Sequence, residues 1–366
     1  MSQRPVPIRA REPPGSAQEV PPTEEVGRCP ACGCAERNEV CRSRDWIHLI
    51  PGEFPLMECT RCRATYPDPR PTRDGLAAYY PPSTYYAYAR PGRHLLFART
   101  DLPARMWYLV SRGILSHRYG YPFEGSRVTA SARWLPGVLG RATFGLGVLL
   151  HPWLPDGALL DVGCGSGRYL DLMRALGWSR TVGVDVSETA IERAREIDLE
   201  AYAGQLSEVG FPESTFDAVS LSHTLEHVAD PVGLLTEVRR ISKPGGRIVI
   251  LVPNVEGLGA RVFREHWVGL DTPRHLVNYS REALSRVLLE AGLDTVQLTT
   301  SPHGARRTLL FSLSRRRGDP HSTYIDDRHR FGVHRHAQAT SLAVLENLMC
   351  RLGRPAGEML VATAKA

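Results

Sequence analysis

The sequence predicts an α/β fold in which a doubly wound parallel sheet follows a small cysteine-rich unit and a helical segment. From Gly157 onward, apolar strand-like runs alternate with amphipathic helical runs, which is typical of a parallel sheet covered by helices on both faces. Six of the eight cysteines lie between Cys29 and Cys62. The stretch between these two regions, residues 71–155, is rich in aromatic residues, arginine and proline, and parts of it have helical spacing.

Length and composition limit the classes of protein to consider. The 366 residues, 42% of them hydrophobic, suffice for one large domain with additions or for two domains, and they exclude a fibrous or wholly disordered chain. The net charge of +6 permits a nucleic-acid or anionic-membrane partner but does not indicate one. Residues 1–25 are polar and proline-rich and lack the apolar core of a secretory signal, so we expect a disordered tail and a cytoplasmic protein.

The cysteines form two CxxC pairs. Cys29 and Cys32 are followed, after 26 residues, by Cys59 and Cys62. Each pair places two thiolates on one tight turn, and two such turns complete a closed tetrahedral Zn²⁺ site. Residues 26–70 are therefore predicted to be a zinc ribbon whose metal is structural, since so short a segment cannot build a sufficient core. Reduced, unliganded thiols are the alternative, and Cys34 or Cys41 could replace one of the four ligands.

Residues 71–155 are predicted to form a helical cap that binds the acceptor. Helical spacing occurs at 106–115 and at 134–150. The second of these stretches is apolar, but Pro136 and Arg141 argue against a membrane span. A buried or cap helix is the favoured interpretation, and a surface that receives an apolar acceptor or touches a membrane is the alternative.

The remaining segment, 156–366, is predicted to contain all strands of the sheet. Ser187 and Ser280 are expected to cap two of its helices. An insertion at 301–350 precedes the last strand, and its basic run Arg315–Arg317 is interpreted as a solvated face or as a surface that steers a phosphorylated or nucleotide-linked acceptor. The strands are predicted at 158–162, 181–186, 199–203, 216–222, 247–252, 293–299 and 358–363, and the helices at 168–177, 187–196, 231–241 and 280–290.

A glycine-rich turn after the first strand of the sheet is the most informative motif. The strand ending at Val162 continues into Gly163-Cys164-Gly165-Ser166-Gly167 and then into a helix. Glycine lets the backbone approach a ligand closely, and the helix N-terminus favours an anionic or polar group. Arg168 stands where the nicotinamide-dinucleotide fingerprint requires its third glycine. Asp185, which ends the second strand, is placed to accept hydrogen bonds from both hydroxyls of a ribose.

Several further segments occur in the order expected of one family. They are Phe216-Asp217-Ala218-Val219, Leu225-Glu226-His227-Val228, Lys243-Pro244-Gly245-Gly246 and Val252-Pro253-Asn254. With the glycine turn, they make residues 157–300 resemble the class I S-adenosylmethionine-dependent methyltransferases. The cysteine pairs and Tyr79-Tyr80-Pro81 make the whole chain similar to bacterial zinc-ribbon methyltransferases that accompany glycan and secondary-metabolite biosynthesis. This resemblance implies a Rossmann-like, seven-stranded sheet.

The resemblance also implies which residues hold S-adenosylmethionine. The three glycines would shape the turn beneath its methionine part, Asp161 would orient its amino group and Asp185 would hold its ribose. Gln205 stands near the place where relatives carry an acidic residue for adenine. The complete set implied in this way is Asp161, Gly163, Cys164, Gly165, Gly167, Asp185, Val186, Gln205, Leu206 and Ser222.

The segment after the fourth strand is expected to face the acceptor. Methyl transfer from a sulfonium is an in-line displacement, and a base is needed only if the nucleophile must lose a proton. His223, Glu226 and His227 could hold a divalent metal that polarises an acceptor hydroxyl, could act as a base without a metal, or could have structural roles. We expect His223 to face the acceptor. Residues 267–276 are a second segment expected to line the acceptor site. In it, Arg274 could bind a phosphate or carboxylate of the acceptor and His275 could be an alternative base; structural roles are equally open.

The favoured function is methyl transfer to a hydroxyl or carbon of a small molecule, such as a sugar, a nucleotide-linked sugar or a natural-product intermediate. The alternative is an RNA base methyltransferase whose ribbon binds RNA. The modest charge, and the lack of an Asn/Asp-Pro-Pro-Tyr motif after the fourth strand, argue against nucleic acid. A non-catalytic binding module is a third hypothesis, and intact glycines with Asp185 argue against it. We expect a monomer or homodimer without a transmembrane segment.

Overall fold

The N-terminal unit is a small antiparallel sheet with the cysteine pairs at its end. The computed structural model describes residues 19–81, 112, 115–116, 119–123, 149–317 and 331–366. Three strands pair in the order β2-β3-β4, and β1 pairs with β5. Cys29 and Cys32 lie before β2, while Cys59 and Cys62 lie at the turn from β3 to β4. The elements are β1 (Thr23–Glu24), β2 (Arg37–Arg44), β3 (Glu53–Cys59), β4 (Thr65–Pro67), β5 (Arg70–Pro71) and helix α1 (Arg73–Ala77).

The central sheet has seven strands and confirms the predicted doubly wound architecture. Its order is β11-β12-β10-β9-β6-β7-β8, and the described pairings are parallel except those of β12, which is antiparallel to both neighbours. The order reverses between β6 and β9, and ligands bind such sheets at the carboxyl ends of the strands beside this point. The strands are β6 (Ala158–Val162), β7 (Arg180–Asp185), β8 (Glu200–Ala203), β9 (Phe216–Ser222), β10 (Ser242–Pro253), β11 (Asp294–Ser301) and β12 (Met359–Lys365).

Helices cover the sheet, and local hydrogen bonds begin several of them. The hydroxyl of Ser187 accepts from the amide of Ala190 at 3.2 Å, and that of Ser280 accepts from Ala283 at 3.0 Å, so both predicted caps are confirmed. The helices are α2 (Arg168–Ala175), α3 (Glu188–Arg195), α4 (Leu206–Val209), α5 (Pro231–Ile241), α6 (Leu258–Phe263), α7 (Arg281–Glu290), α8 (Ala305–Arg316) and α9 (Val333–Arg351).

The segment 301–350 differs most from its interpretation in the sequence. Its described part continues from the end of β11 into α8 and α9, and the interpretation of Arg315 as part of a solvated face is wrong. Arg315 is only 2% exposed, whereas Arg316 and Arg317 are exposed. The reason is that α8 is buried along most of its length, and Arg315 is one of its buried residues. The cap helices predicted at 106–115 and 134–150 lie almost wholly outside the described residues, and the predicted domain boundaries stay a prediction.

The N-terminal unit and the sheet share one hydrophobic core. Cys59, Cys62 and Tyr66 belong to the same buried cluster as Tyr279 and Leu284. The contact is also made by the backbone, because Thr65 and Asn278 exchange two amide-to-carbonyl hydrogen bonds of 2.9 and 2.7 Å. Within the ranges that the structure describes, there is no helix with both the length and the apolarity needed to cross a membrane.

Candidate active site

The glycine turn packs tightly against two neighbouring segments. The φ angles are 76° at Gly163, 53° at Gly165 and 80° at Gly167, values that residues with a side chain rarely adopt. A Cβ at Gly163 would lie 2.2 Å from Oγ1 of Thr224, which directly follows β9 and His223. A Cβ at Gly167 would lie 2.4 Å from a methyl of Leu199. The turn therefore lies against the segment expected to face the acceptor, and Gly167 also serves helix packing.

Two carboxyl groups lie at the carboxyl ends of β6 and β7. Asp185 accepts from the amide of Gly165 through Oδ2 at 2.8 Å and from that of Ser187 through Oδ1 at 2.9 Å. Burial raises the pKa of Asp185, and these hydrogen bonds only partly oppose that effect. Burial, and then the charge of Asp185, raise the pKa of Asp161 well above its usual value. A positive group bound beside them would favour the ionised forms, so the pair suits a cationic ligand.

The other residues expected to bind the cofactor have varied surroundings. Cys164 and Leu206 are buried, while Val186 is 75% exposed just after β7. Ser222 ends β9. The side chain of Gln205 donates to Glu208 at 3.1 Å, so it caps α4 as well as lying after β8. Contact of Gln205 with adenine stays a prediction.

His223 and Glu226 form a hydrogen-bonded pair at the end of β9. Nδ1 of His223 lies 3.1 Å from Oε1 of Glu226, the His223 side chain is 39% exposed and that of Glu226 is fully buried. His223 has a φ of 55°, an unusual value for a side-chain-bearing residue and one that occurs preferentially at functional sites. Burial alone would raise the pKa of Glu226, but the hydrogen bond and charge of His223 lower it overall.

His227 and His275 lie behind this pair, with their ring nitrogens oriented by carbonyl groups. Nδ1 of His227 is 3.1 Å from the carbonyl of Arg274, and Nδ1 of His275 is 2.8 Å from that of Gly269. A carbonyl only accepts, so a hydrogen bond to either carbonyl requires the proton on Nδ1 and leaves Nε2 of that ring bare. Burial, followed by the charge of His275, lowers the pKa of His227 to about 4.

A divalent metal could be held here by a set of residues that differs from the predicted one. Glu226, His227 and His275 each offer a ligand atom, and these atoms lie within 4.8 Å of one another. Nδ1–H groups bound to carbonyls and bare Nε2 atoms are the usual arrangement of metal-binding histidines. His223 is not in this set, so it remains available as a base whether or not a metal binds.

Of the two roles left open for Arg274, binding a phosphate or carboxylate of the acceptor is contradicted, and the structure supports the structural role. Its side chain is fully buried and lies 2.8 Å from Asp45 and 2.7 Å from Asp271. Two carboxylates already satisfy the guanidinium, and no path to a ligand remains for it.

Three residues of this region are not among the predicted site residues. The hydroxyl of Tyr80 lies 2.8 Å from Nδ1 of His227, and Asp45 lies beside Arg274. His303 is close enough to His223 for the His223 charge, after burial, to lower the pKa of His303 to about 4. Only Tyr80 had a signal in the sequence, since it belongs to the noted Tyr79-Tyr80-Pro81 segment.

The four predicted zinc ligands come together. Sγ of Cys29 is 3.5 Å from that of Cys62, Sγ of Cys32 is 3.6 Å from that of Cys59, and all four sulfurs lie within 4.8 Å of one another. Sulfurs around a tetrahedral zinc at 2.3 Å would be about 3.8 Å apart, so the geometry fits this ion. Cys34 and Cys41, the alternative ligands, do not belong to this cluster. Sγ of Cys34 instead lies 2.9 Å from Oε2 of Glu36.

Comparison with known proteins shows that the central part of the chain is similar to methyltransferases. Residues 148–298 match the family model described as methyltransferase domain. The chain is 31% identical over 155 residues to the ubiquinone biosynthesis O-methyltransferase of Thiobacillus denitrificans, covering 38% of this chain and 66% of that protein. It is 30% identical over 149 residues to the 27-O-demethylrifamycin SV methyltransferase of Amycolatopsis mediterranei, covering 37% of this chain and 53% of that protein.

One of the similar solved structures is an S-adenosylmethionine-dependent methyltransferase from Mesorhizobium loti. It has 18% identity and a TM-score of 0.39, and the similarity covers 58% of this chain and 94% of that one. The chain spans between about a third and two thirds of the length of several curated relatives that it matches.

Proposed function

Because residues 148–298 form a class I S-adenosylmethionine-dependent methyltransferase domain, we propose that the whole protein methylates a hydroxyl or carbon of a small molecule such as a sugar, a nucleotide-linked sugar or a natural-product intermediate. The observation that carries the proposal is the hydrogen-bonded pair of exposed His223 and buried Glu226 beside the glycine turn. This pair is suited to remove a proton from a hydroxyl or an activated carbon acid.

The cofactor is assigned to the carboxyl ends of β6 and β7. S-Adenosylmethionine, when bound, supplies an electrophilic methyl group on a positively charged sulfonium. Burial raises the pKa of Asp161 and of Asp185 and so disfavours their charged forms, and a cationic ligand bound beside them would offset that cost. Gly163 and Gly165 remove side chains from the backbone that would line the site. Gln205 would lie toward the adenine.

Proton removal is assigned to Nε2 of His223. Glu226 accepts a hydrogen bond from Nδ1–H of His223, which holds the ring in one tautomer and leaves Nε2 free to take a proton from the acceptor. The carboxylate also stabilises the imidazolium that forms, as in other carboxylate–histidine pairs. A divalent metal on Glu226, His227 and His275 would instead lower the pKa of an acceptor hydroxyl. Loss of activity on treatment with EDTA, and its return with Mg²⁺ or Mn²⁺, would assign the reaction to this second route.

The names of the relatives favour a small acceptor. The two relatives described above are a ubiquinone biosynthesis O-methyltransferase and a rifamycin methyltransferase, both named for small molecules. The N-terminal unit packs against the methyltransferase domain through a shared core, which gives it a role other than RNA binding. We therefore propose a small molecule as the acceptor and a structural zinc ion on Cys29, Cys32, Cys59 and Cys62.

The test is to incubate the protein with radiolabelled S-adenosylmethionine and either the small-molecule fraction of an extract of the source organism or purified ribosomal RNA. We expect label in a small product that mass spectrometry can identify. Label in RNA at moderate salt would overturn the proposal in favour of the alternative.

Variants then test the assigned base. His223→Asn and Glu226→Gln should each slow turnover by about 100-fold or more, with S-adenosylmethionine affinity nearly unchanged. The matched control is His334→Asn, because His334 is exposed on α9. Loss of cofactor binding in the His223 variant would show that the residue has been assigned wrongly.

A further inference from the structure

A buried charged cluster joins the N-terminal unit to the loop that carries His275. Arg274 is fully buried, and Asp45 and Asp271 are 1% and 7% exposed. Nη2 of Arg274 donates to Asp45 at 2.8 Å and to Asp271 at 2.7 Å, while Nε donates to Asp271 at 3.1 Å. Asp45 and Arg274 are 229 residues apart, so this contact depends on the docking of two separate parts of the chain.

Asp45 is itself held rigidly within the N-terminal unit. Its Oδ1 accepts from the amides of Ile47 and His48 at 2.9 and 3.1 Å, and its Oδ2 accepts from the amide of Ile50 at 3.3 Å. A carboxylate fixed by three backbone amides cannot follow a moving partner. It therefore sets the position of the Arg274 side chain rather than adapting to it.

Arg274 in turn contacts the active site through both its side chain and its backbone. Nη1 donates to the carbonyl of Tyr79 at 3.1 Å, which places Tyr80. The carbonyl of Arg274 accepts from Nδ1 of His227 at 3.1 Å, and the hydroxyl of Tyr80 lies 2.8 Å from the same nitrogen. Of the two groups that orient His227, one is the backbone carbonyl of Arg274, and the other is the hydroxyl of Tyr80, whose neighbour Tyr79 is hydrogen-bonded to the Arg274 side chain.

We propose that Asp45 is a positioning residue of the methyltransferase site: by holding Arg274, it keeps Tyr80 and the Arg274 carbonyl on Nδ1 of His227. A proton on Nδ1 leaves Nε2 of His227 bare, and His227 offers one ligand atom within 4.8 Å of those of Glu226 and His275. The catalytic meaning of this arrangement rests on the proposed function. The N-terminal unit is, on this view, a part of the active-site framework and not only an appended module.

The test compares Asp45→Asn with Asp68→Asn. Asp68 is the matched control because its side chain is also nearly buried and binds Arg37 at 3.0 Å and the amides of Val26 and Gly27, all within the N-terminal unit. In protein labelled with ¹⁵N-histidine, the His227 signals are identified by their loss in His227→Gln. At one fixed pH, protonated and bare ring nitrogens are distinguished by their chemical shifts.

We expect His227 to be protonated at Nδ1 in the wild-type protein, and a wild-type signal for the Nε2–H form would overturn the proposal without any variant. Asp45→Asn should produce a mixture of the two tautomers and slow turnover about ten-fold, with S-adenosylmethionine affinity within about two-fold of wild type. Asp68→Asn should leave tautomer and turnover unchanged. An Asp45→Asn protein that retains the wild-type tautomer would also overturn the proposal.

Restoring the carboxylate completes the test. Asp45→Glu should recover part of the Nδ1–H signal if the charge on Arg274 is what matters, and a signal like that of Asp45→Asn would count against the proposal. Failure to find any methyl acceptor would contradict the proposed function and leave the tautomer result standing, because the NMR measurement needs no acceptor.

Discussion

Replacement of Glu346 by Gln should make the stability of the protein less sensitive to a rise in pH between about 5 and 8. Glu346 on α9 and Glu358 before β12 are both fully buried. Oε1 of Glu346 accepts from the amide of Glu358 at 2.8 Å, and Oε2 of Glu346 has no hydrogen-bond partner among the residues that the structure describes. Burial, followed by the charge of Glu358, raises the pKa of Glu346 to about 8, and burial raises the pKa of Glu358 to about 7.

The direction and size of the effect follow from proton linkage. The folded state keeps a proton on this pair up to about pH 7 or 8, whereas an unfolded glutamic acid loses it near pH 4.5. Between these values the folded state binds more protons, so the free energy of unfolding falls as pH rises. For one proton the slope is about 1.4 kcal/mol per pH unit, which amounts to roughly 3 kcal/mol from pH 5 to pH 7.5.

The assay is urea unfolding of the wild type and Glu346→Gln at several pH values between 5 and 8. A neutral amide removes the titration and still offers an oxygen to the Glu358 amide, so the variant should gain stability over the wild type as pH rises. Glu290→Gln, an exposed change at the end of α7, should follow the wild type. Parallel curves for wild type and Glu346→Gln would refute the reasoning.

Three further changes test the cofactor site and the cysteine cluster. Asp185→Asn should weaken S-adenosylhomocysteine binding about 10- to 100-fold in calorimetry, because it removes a charged acceptor; an unchanged affinity would contradict its assignment to the ribose. Gly163→Ala should lower the thermal midpoint far more than Gly210→Ala. Both glycines have φ above 70°, but of the two only a Cβ added at Gly163 would lie within 4 Å of neighbouring atoms. Equal shifts of the thermal midpoint would contradict this packing argument. Wild-type protein should hold about one zinc per chain after dialysis, and Cys59→Ser should hold less than half of that, as measured by elemental analysis.

Local patterns in the sequence were sufficient for most of the sheet and for the edge where the site lies. The bounds of β6 and β9 agree with the predicted strands because both are short, mainly apolar runs bordered by turn residues. The serine caps were equally readable, since they depend on neighbours within the same turn. Parallel strands bring their carboxyl ends to one edge, and so the glycine turn and the segment beginning at His223 could be expected near each other.

Long-range contacts explain what was missed. The sequence alone does not distinguish a buried, ion-paired arginine from one that binds phosphate. The structure shows that Arg274 is buried and paired with Asp45, which is distant in the sequence. His303 lies near enough to His223 to be affected by its charge only because of the fold. Helix α8 was also missed because it is buried on several sides and thus lacks the polar face that makes amphipathic helices recognisable.

The position of β12 affects how the protein is made. Residues 359–365 lie between β10 and β11, both of which emerge earlier from the ribosome. Until the late segment is synthesised, those two strands present unpaired backbone edges to the cell, the kind of surface that promotes aggregation. Expression at reduced temperature or with added chaperones should therefore improve the yield of native protein.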